Sequence, residues 1–265
     1  MNNACLIVVP ARLASTRLSE KLLRRVDGKS VLQYTWQAAS RASVTNRVVV
    51  AVDDAKLADE VTRFGGTAIM TDVNCPSGTD RIAEVAKQCP EFDVFVNVQG
   101  DEPEIDPVAI DLVASLLIDN PSADIATVGT PIRDLEKLQD PGCVKIVLAS
   151  EMGGAKGAGQ GRAIYFSRSV VPHMRGGVTA ESLLAEPPLF WHHLGLYAYR
   201  REFLQWFSQQ SQSVLEQTER LEQLRAIEAG KQIVVARVES AVPGIDTEED
   251  FRAFAERVAF ANQNT

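Results

Sequence analysis

The sequence predicts an α/β protein with a mostly parallel sheet covered by helices on both faces. Three observations carry this. Apolar runs of strand length alternate with helical patterns through the first 120 residues, the order that builds parallel crossovers. The runs CLIVVP, RVVVAVD and DVFVNVQ are almost continuously apolar, as strands buried on both sides must be. Turn residues and caps punctuate the segments where the periodicity changes.

Element by element, residues 5–10 form the first strand. Residues 30–43 have helical periodicity, with Leu32, Trp36 and Ala39 on one face. A strand at 47–53 leads to a helix at 54–65, opened by an aspartate and stopped by a glycine. A short strand at 67–71, a helix at 78–89 and a strand at 93–99 follow. Asp106 and Pro107 open a helix over 106–120. Strands are predicted at 124–132 and 143–150. A glycine-rich stretch, 151–162, marks a change of pattern. Two aromatic strand-like segments, 163–169 and 193–201, flank a long loop at 171–188. An acidic amphipathic helix at 213–230, a strand at 231–239 and a helix at 247–261 complete the chain. No repeat or linker divides it, so the expectation is one domain over 1–265 with an inserted arm at about 163–200.

The chain carries a net charge of −8, which argues against nucleic acid as a partner. Residues 1–25 alone carry +4, from Arg12, Arg17, Lys21, Arg24 and Arg25 against Glu20. A basic loop on an acidic protein suits a small anionic ligand. No apolar stretch is long enough for a membrane span, and the N-terminus lacks the basic region of a signal peptide, so the expected location is cytoplasmic. The cysteines (5, 75, 89 and 143) have neither zinc nor C-x-x-C spacing.

Three constellations carry candidate chemistry. VVPARLASTRLSEK (8–21) follows the first strand. Its cations suit a triphosphate held by guanidinium forks and an ammonium, or form a solvated basic loop. It is neither a Walker A loop nor a dinucleotide fingerprint. CPSGTDRIAE (75–84) opens a helix with Ser77, Gly78 and Thr79, an ordinary cap or an anion-facing end. Arg81 in its first turn opposes the helix dipole and calls for an acid or a ligand as partner. VNVQGDEPEID (96–106) brings acids to the end of a core strand, a solvated turn or a metal site where open α/β sheets place ligands. Asp101 there, with Asp246 from VPGIDTEED, would suit Mg²⁺, which takes one or two carboxylates and phosphate oxygens. Asp246 alone would equally serve as a helix cap. Together the three patterns describe metal-assisted attack on a nucleoside triphosphate.

In that order and spacing, VVPARLASTRLSEK, CPSGTDRIAE and VNVQGDEP resemble the 3-deoxy-manno-octulosonate (Kdo) cytidylyltransferases. YFSRSVVP, HHLGLYAYR, LEQTERLEQLR and VPGIDTEED extend the resemblance over nearly the whole chain. It implies a Rossmann-like sheet of the nucleotide-diphospho-sugar transferase type, and an arm that makes a homodimer. It implies coupling of CTP to Kdo, with Mg²⁺, to give CMP-Kdo and pyrophosphate for lipopolysaccharide synthesis. Arg12, Arg17 and Lys21 would bind the triphosphate, Ser77 and Arg81 would lie around the cytidine, and Gln99 and Asp101 would sit at the reacting centre. Asp101 and Asp246 would be the metal ligands. Arg168 would face the sugar carboxylate, with His193, Tyr197, Glu222 and Gln223 around the hydroxyls. Two positions depart from the family pattern. Ser19 and Glu20 replace a Pro-Gly turn, and His192 stands where a cation is usual. Another 2-keto sugar acid, or a nucleotide-binding homologue without turnover, are the alternative readings.

Overall fold

The structure is a computed structural model that describes residues 4–14, 18–150, 160–239 and 244–263. The chain forms two compact units, one of residues 1–111 with 242–265 and one of residues 112–241.

The first unit is the parallel part. β1 (Cys5–Ala11) is followed by a 3₁₀ turn (Lys21–Leu23), then a small hairpin of β2 (Arg25–Val26) and β3 (Lys29–Ser30), then α1 (Val31–Ala39). β4 (Val48–Val52), α2 (Ala55–Arg63), β5 (Thr67–Met70), α3 (Gly78–Gln88) and β6 (Val94–Asn97) continue the alternation. The strands pair in parallel in the order β5-β4-β1-β6. Leu6 to Val9, Val50 to Val52 and Val94 to Val96 are buried, so the apolar runs do face protein on both sides. The hydroxyl of Ser30 accepts from the Gln33 amide and caps α1, and Asp54 caps α2 through the Lys56 amide at 2.8 Å. α4 (Pro107–Asp119) contains the boundary between the units, and Asp106 caps it, accepting from the Val108 amide at 2.9 Å.

The second unit departs from the mostly parallel expectation. It holds β7 (Ile125–Pro131), α5 (Leu135–Gln139), β8 (Lys145–Ser150), β9 (Gln160–Ser167), α6 (Ala180–Leu183), β10 (Trp191–Arg200), α7 (Arg201–Phe207), α8 (Val214–Glu219), α9 (Gln223–Glu228) and β11 (Ile233–Arg237). Among the described residues of this unit only β7 and β11 pair in parallel; β10 with β7, β11 with β9, and β9 with β8 are antiparallel, and β8 also pairs with β10. The sheet is therefore mixed. β8 and β9 lie adjacent in sequence and pair directly as an antiparallel pair, where a crossover helix would be needed for parallel pairing. Predicted strand 193–201 begins two residues earlier, at Trp191, and its end becomes the start of α7.

The predicted helix 213–230 is two helices. Arg220 takes left-handed angles, φ 53° and ψ 52°, and ends α8. Ser213 and Glu216 form a reciprocal capping box at its start. The Glu216 carboxylate then receives both ends of the Arg225 guanidinium, with Nε at 2.7 Å, across the break. Both side chains are buried, so the pair, once interrupted, would leave an uncompensated charge in the interior. This fixes the angle between the two short helices better than helical periodicity would. α10 (Glu248–Gln263) returns the chain to the first unit.

Gly100 stands where backbone crosses backbone. A Cβ there would lie 2.8 Å from the Pro10 carbonyl oxygen, and the Gly100 carbonyl accepts from the buried Thr35 hydroxyl at 2.9 Å. Gly100→Ala must therefore shift the chain just before Asp101. We expect a loss of about 1–3 kcal/mol, read from the urea unfolding midpoint; an unchanged midpoint would contradict the contact.

Candidate functional site

Residues of the first unit converge on one cation. The Lys21 ammonium, at the start of the 3₁₀ turn, donates to a carboxylate oxygen of Asp101, to Oδ1 of Asp246 at 3.1 Å and to the carbonyl of Ile245 at 3.1 Å. The backbone reinforces the meeting, with the Ile245 amide donating to the Asp101 carbonyl at 2.8 Å. A Cβ on Gly244 would lie 3.4 Å from that same Asp101 carbonyl, an ordinary contact. Partial burial pulls the Lys21 pKa down, but the two carboxylates outweigh it and the net pKa is raised. The ammonium is therefore firmly charged.

The acids of the 96–106 stretch divide their work. Asp101 holds Lys21. Glu104 takes the Arg257 guanidinium, with Nε at 3.0 Å, and Asp106 caps α4. Burial and then the charge of Asp101 push the carboxyl of Glu102 up to about 8. Thr247 and Asp250 cap α10 reciprocally: the Asp250 amide donates to the Thr247 hydroxyl at 3.2 Å, and the Thr247 amide to the Asp250 carboxylate at 2.8 Å. The Asp246 amide also donates to Asp250, at 3.0 Å. Asp246 is thus not the cap, and its carboxylate points to Lys21.

The basic loop is described at its ends. Arg12 is exposed just past β1, and the Leu13 amide donates to Asp53 at 3.0 Å. Arg17 lies outside the described residues. Glu20 stands at φ 45°, in the left-handed region. A glycine would adopt this at no steric cost. The Glu20 carboxylate turns to Lys56, at 3.1 Å, so its charge is paired elsewhere than with Lys21.

Ser77 caps α3, accepting from the Asp80 amide at 3.1 Å and donating to the Asp80 carboxylate at 2.7 Å. Arg81 is fully buried and has an acid for its partner: Asp53 at 3.1 Å, with the Thr71 hydroxyl at 2.5 Å. Its Nε has no protein acceptor. The partner in sequence was invisible because Asp53 lies 28 residues earlier, at the end of β4. Gln99 is half-buried two residues before Asp101.

The second unit brings other residues together. His193 is buried against the Phe166 and Tyr197 rings, with centroids 5.1 and 5.2 Å away. β10 bulges between Leu194 and Tyr197, and the Thr127 hydroxyl holds the bulge, donating to the Leu196 carbonyl at 2.8 Å. The same hydroxyl lies 3.3 Å from the Leu194 carbonyl and 3.1 Å from His193 Nε2. Burial, then the neighbouring His192, lowers its pKa to about 3. Burial, then Lys137 and Lys145, lowers His192 to about 4, and its Nδ1 is buried without a partner. Burial, Tyr199 and Glu222 raise the Tyr197 phenol well above its ordinary value. Arg168 donates Nε to the Glu219 carbonyl at 2.8 Å and Nη1 to the Pro141 carbonyl at 3.0 Å. Gln223 is buried, with an unpartnered Nε2, and Glu222 precedes it at the start of α9.

Lys145 was not singled out from sequence. It is fully buried, and its ammonium donates to the carbonyls of Asp140, Cys143 and Arg168 at 3.0, 2.7 and 2.6 Å. A lysine inside the apolar run CVKIVLAS was the available sign.

The family model described as Cytidylyltransferase matches residues 6–233. The 3-deoxy-manno-octulosonate cytidylyltransferase of Rhodopirellula baltica is 59% identical over 254 residues, 96% of this chain and 98% of that one. The chain belongs to the 3-deoxy-manno-octulosonate cytidylyltransferase family. The Leptospira interrogans protein of that name is 40% identical over 249 residues, 94% of each chain. A solved structure of CMP:2-keto-3-deoxy-manno-octonic acid synthetase complexed with CTP superposes with a TM-score of 0.86 at 36% identity, over 97% of this chain and 99% of that one. The mixed α/β fold of the family is thus the fold found here.

Among the described residues no helix is long and apolar enough to cross a membrane, and no group of three or more His, Cys, Asp and Glu could hold a metal. Two carboxylates sharing one cation remain. That donor set is too small for a zinc or calcium cage and fits Mg²⁺, which keeps waters and takes phosphate oxygens.

The buried imidazoles make stability depend on pH. Both folded pKa values lie below the ordinary 6.5, so below that pH the unfolded chain binds protons the folded chain refuses. Their contribution is complete above pH 6.5 and is lost as pH falls towards 4 and then 3. His193→Gln should flatten the stability–pH slope between pH 6.5 and 4 relative to the parent; parallel slopes would contradict the assignment.

Proposed function

We propose that this protein couples CTP to Kdo, releasing pyrophosphate and forming CMP-Kdo. The observation that carries the reading is the meeting of Lys21, Asp101 and Asp246, on a chain 59% identical to a protein of that name. The oxygen of the sugar's anomeric hydroxyl forms a bond to the α-phosphorus and gives its proton to solvent, and the bond from the α-phosphorus to the bridging oxygen breaks, so that pyrophosphate leaves.

In this reading Arg12, Arg17 and Lys21 bind the triphosphate. Ser77 and Arg81 shape the cytidine side; Arg81 acts from the interior, through its hold on Asp53, whose carboxylate receives the Leu13 amide of the basic loop. Gln99 and Asp101 stand at the reacting centre. Asp101 and Asp246 would hold Mg²⁺, which when bound neutralises charge on the α-phosphate and the leaving pyrophosphate. Lys21 then meets phosphate oxygen as a mobile point charge.

The sugar acid is read by residues of the second unit. Arg168 Nε is engaged with Glu219 and Nη1 with the Pro141 carbonyl, so a carboxylate would be met chiefly by Nη2. Tyr197, Glu222 and Gln223 offer hydroxyl-binding groups, and His193 sets the ring wall through Tyr197. The neutral His192 where the family has a cation favours one second reading, a different 2-keto sugar acid as native substrate. The segment 163–200 would serve as the arm of a homodimer, the whole chain acting as one nucleotidyltransferase domain, in the cytoplasm, supplying lipopolysaccharide synthesis.

Pyrophosphate release should require CTP, Mg²⁺ and Kdo together, with ATP, GTP and UTP inactive. Asp101→Asn should lower turnover by about 10²–10³-fold while CTP still binds. Release with another 2-keto sugar acid but not Kdo would select the second reading; no release with any would overturn both.

A further inference from the structure

The position of Lys21 raises a question that phosphate binding alone leaves open. Its ammonium has three oxygen partners: Asp101, Asp246 and the Ile245 carbonyl. Two of these are the carboxylates to which the proposed function gives the metal. One cation and the metal therefore compete for the same oxygens. The ammonium is compact, carries one charge and satisfies two carboxylates that would otherwise repel.

We propose that Lys21 is the resident cation of the metal seat, and that CTP must draw it off before the metal can bind tightly. This rests on the reading of Asp101 and Asp246 as metal ligands. The triphosphate is the group able to do this, because it offers the ammonium several anionic oxygens at once. A divalent ion alone has no such lever: it must displace the lysine without giving it a new partner. Metal and nucleotide would thus bind with positive coupling, each clearing the way for the other.

The neighbouring contacts allow this without moving the chain. Arg24 holds Glu248 through both terminal nitrogens, one at 3.1 Å, and its guanidinium lies 3.9 Å from the centre of the Phe251 ring. Leu22 is buried. The backbone on the far side of Lys21 is therefore pinned to α10. A four-carbon side chain with rotatable bonds is the part left to swing. Arginine at this place would be a poor substitute, since its planar fork would bridge the carboxylates bidentately and resist displacement.

The test is Mn²⁺ binding to the nucleotide-free protein, followed by the electron paramagnetic resonance of free Mn²⁺, with Mn²⁺ alone as probe. Lys21→Met should bind Mn²⁺ at least about tenfold more tightly than the parent, the loss of one charged hydrogen-bond competitor. The gain should vanish in the Lys21→Met, Asp101→Asn double variant. Lys21→Met should also melt lower than the parent in metal-free buffer, and Mn²⁺ should restore its melting temperature. Lys21→Gln gives a second version that keeps a neutral donor, and should show the same gain. Equal Mn²⁺ affinity of parent, Met and Gln proteins, all folded, would overturn the inference while leaving the metal ligands in place. If Asp101→Asn does not weaken Mn²⁺ binding in the presence of CTP, the metal-ligand reading itself fails, and the inference with it.

Discussion

A single ammonium, that of Lys21, ties together three places that are far apart in the chain. Asp101 is 80 residues away and Asp246 is 225. Much of the surrounding first unit can be understood as the means of delivering these groups. The parallel strands β1 and β6 lie side by side, so the basic loop and the acidic turn emerge at the same edge. Gly100 lets the backbone after β6 pass under the Pro10 carbonyl. The Ile245 amide, bound to the Asp101 carbonyl, brings the segment before α10 into register with that turn. Thr247 and Asp250 cap α10, and the Asp246 carboxylate faces Lys21.

The second unit solves another problem, that of burying polar side chains such as His193 and Lys145. His193 is kept neutral by burial and then by the neighbouring His192. Lys145 keeps its charge in company with three carbonyl oxygens. One of those carbonyls belongs to Arg168, whose amide and side chain are both tied to Glu219. The Arg168 backbone is thus fixed from two sides, which suits a residue assigned to a substrate carboxylate. Gln223 and His192 each retain a buried nitrogen with no protein partner, and such groups are costly to leave unsatisfied.

The strands and helices of the first unit were legible because their periods are unmixed and their caps are local: Ser30, Asp54 and Asp106 all act within three residues. The mixed sheet of the second unit was not, since apolar runs do not encode strand direction. The break at Arg220 was hidden for a similar reason. Nothing in LEQTERLEQLR forbids helix, and the cause is a buried pair, Glu216 with Arg225. The site residues were found by motif, but their partners were not. Asp53 for Arg81, Lys56 for Glu20 and Thr127 for His193 are all non-local. Asp246 was ambiguous between cap and ligand until Thr247 and Asp250 were seen to form the cap.

The chemistry proposed for this site depends on what the two carboxylates hold when nucleotide is bound. The most direct measurement is the anomalous scattering of Mn²⁺ in crystals grown with CTP. The account predicts a peak at roughly 2.1 Å from oxygens of both Asp101 and Asp246 and of the triphosphate, with the Lys21 ammonium moved onto phosphate. A peak on the phosphates alone, with Lys21 still between the two aspartates, would contradict it.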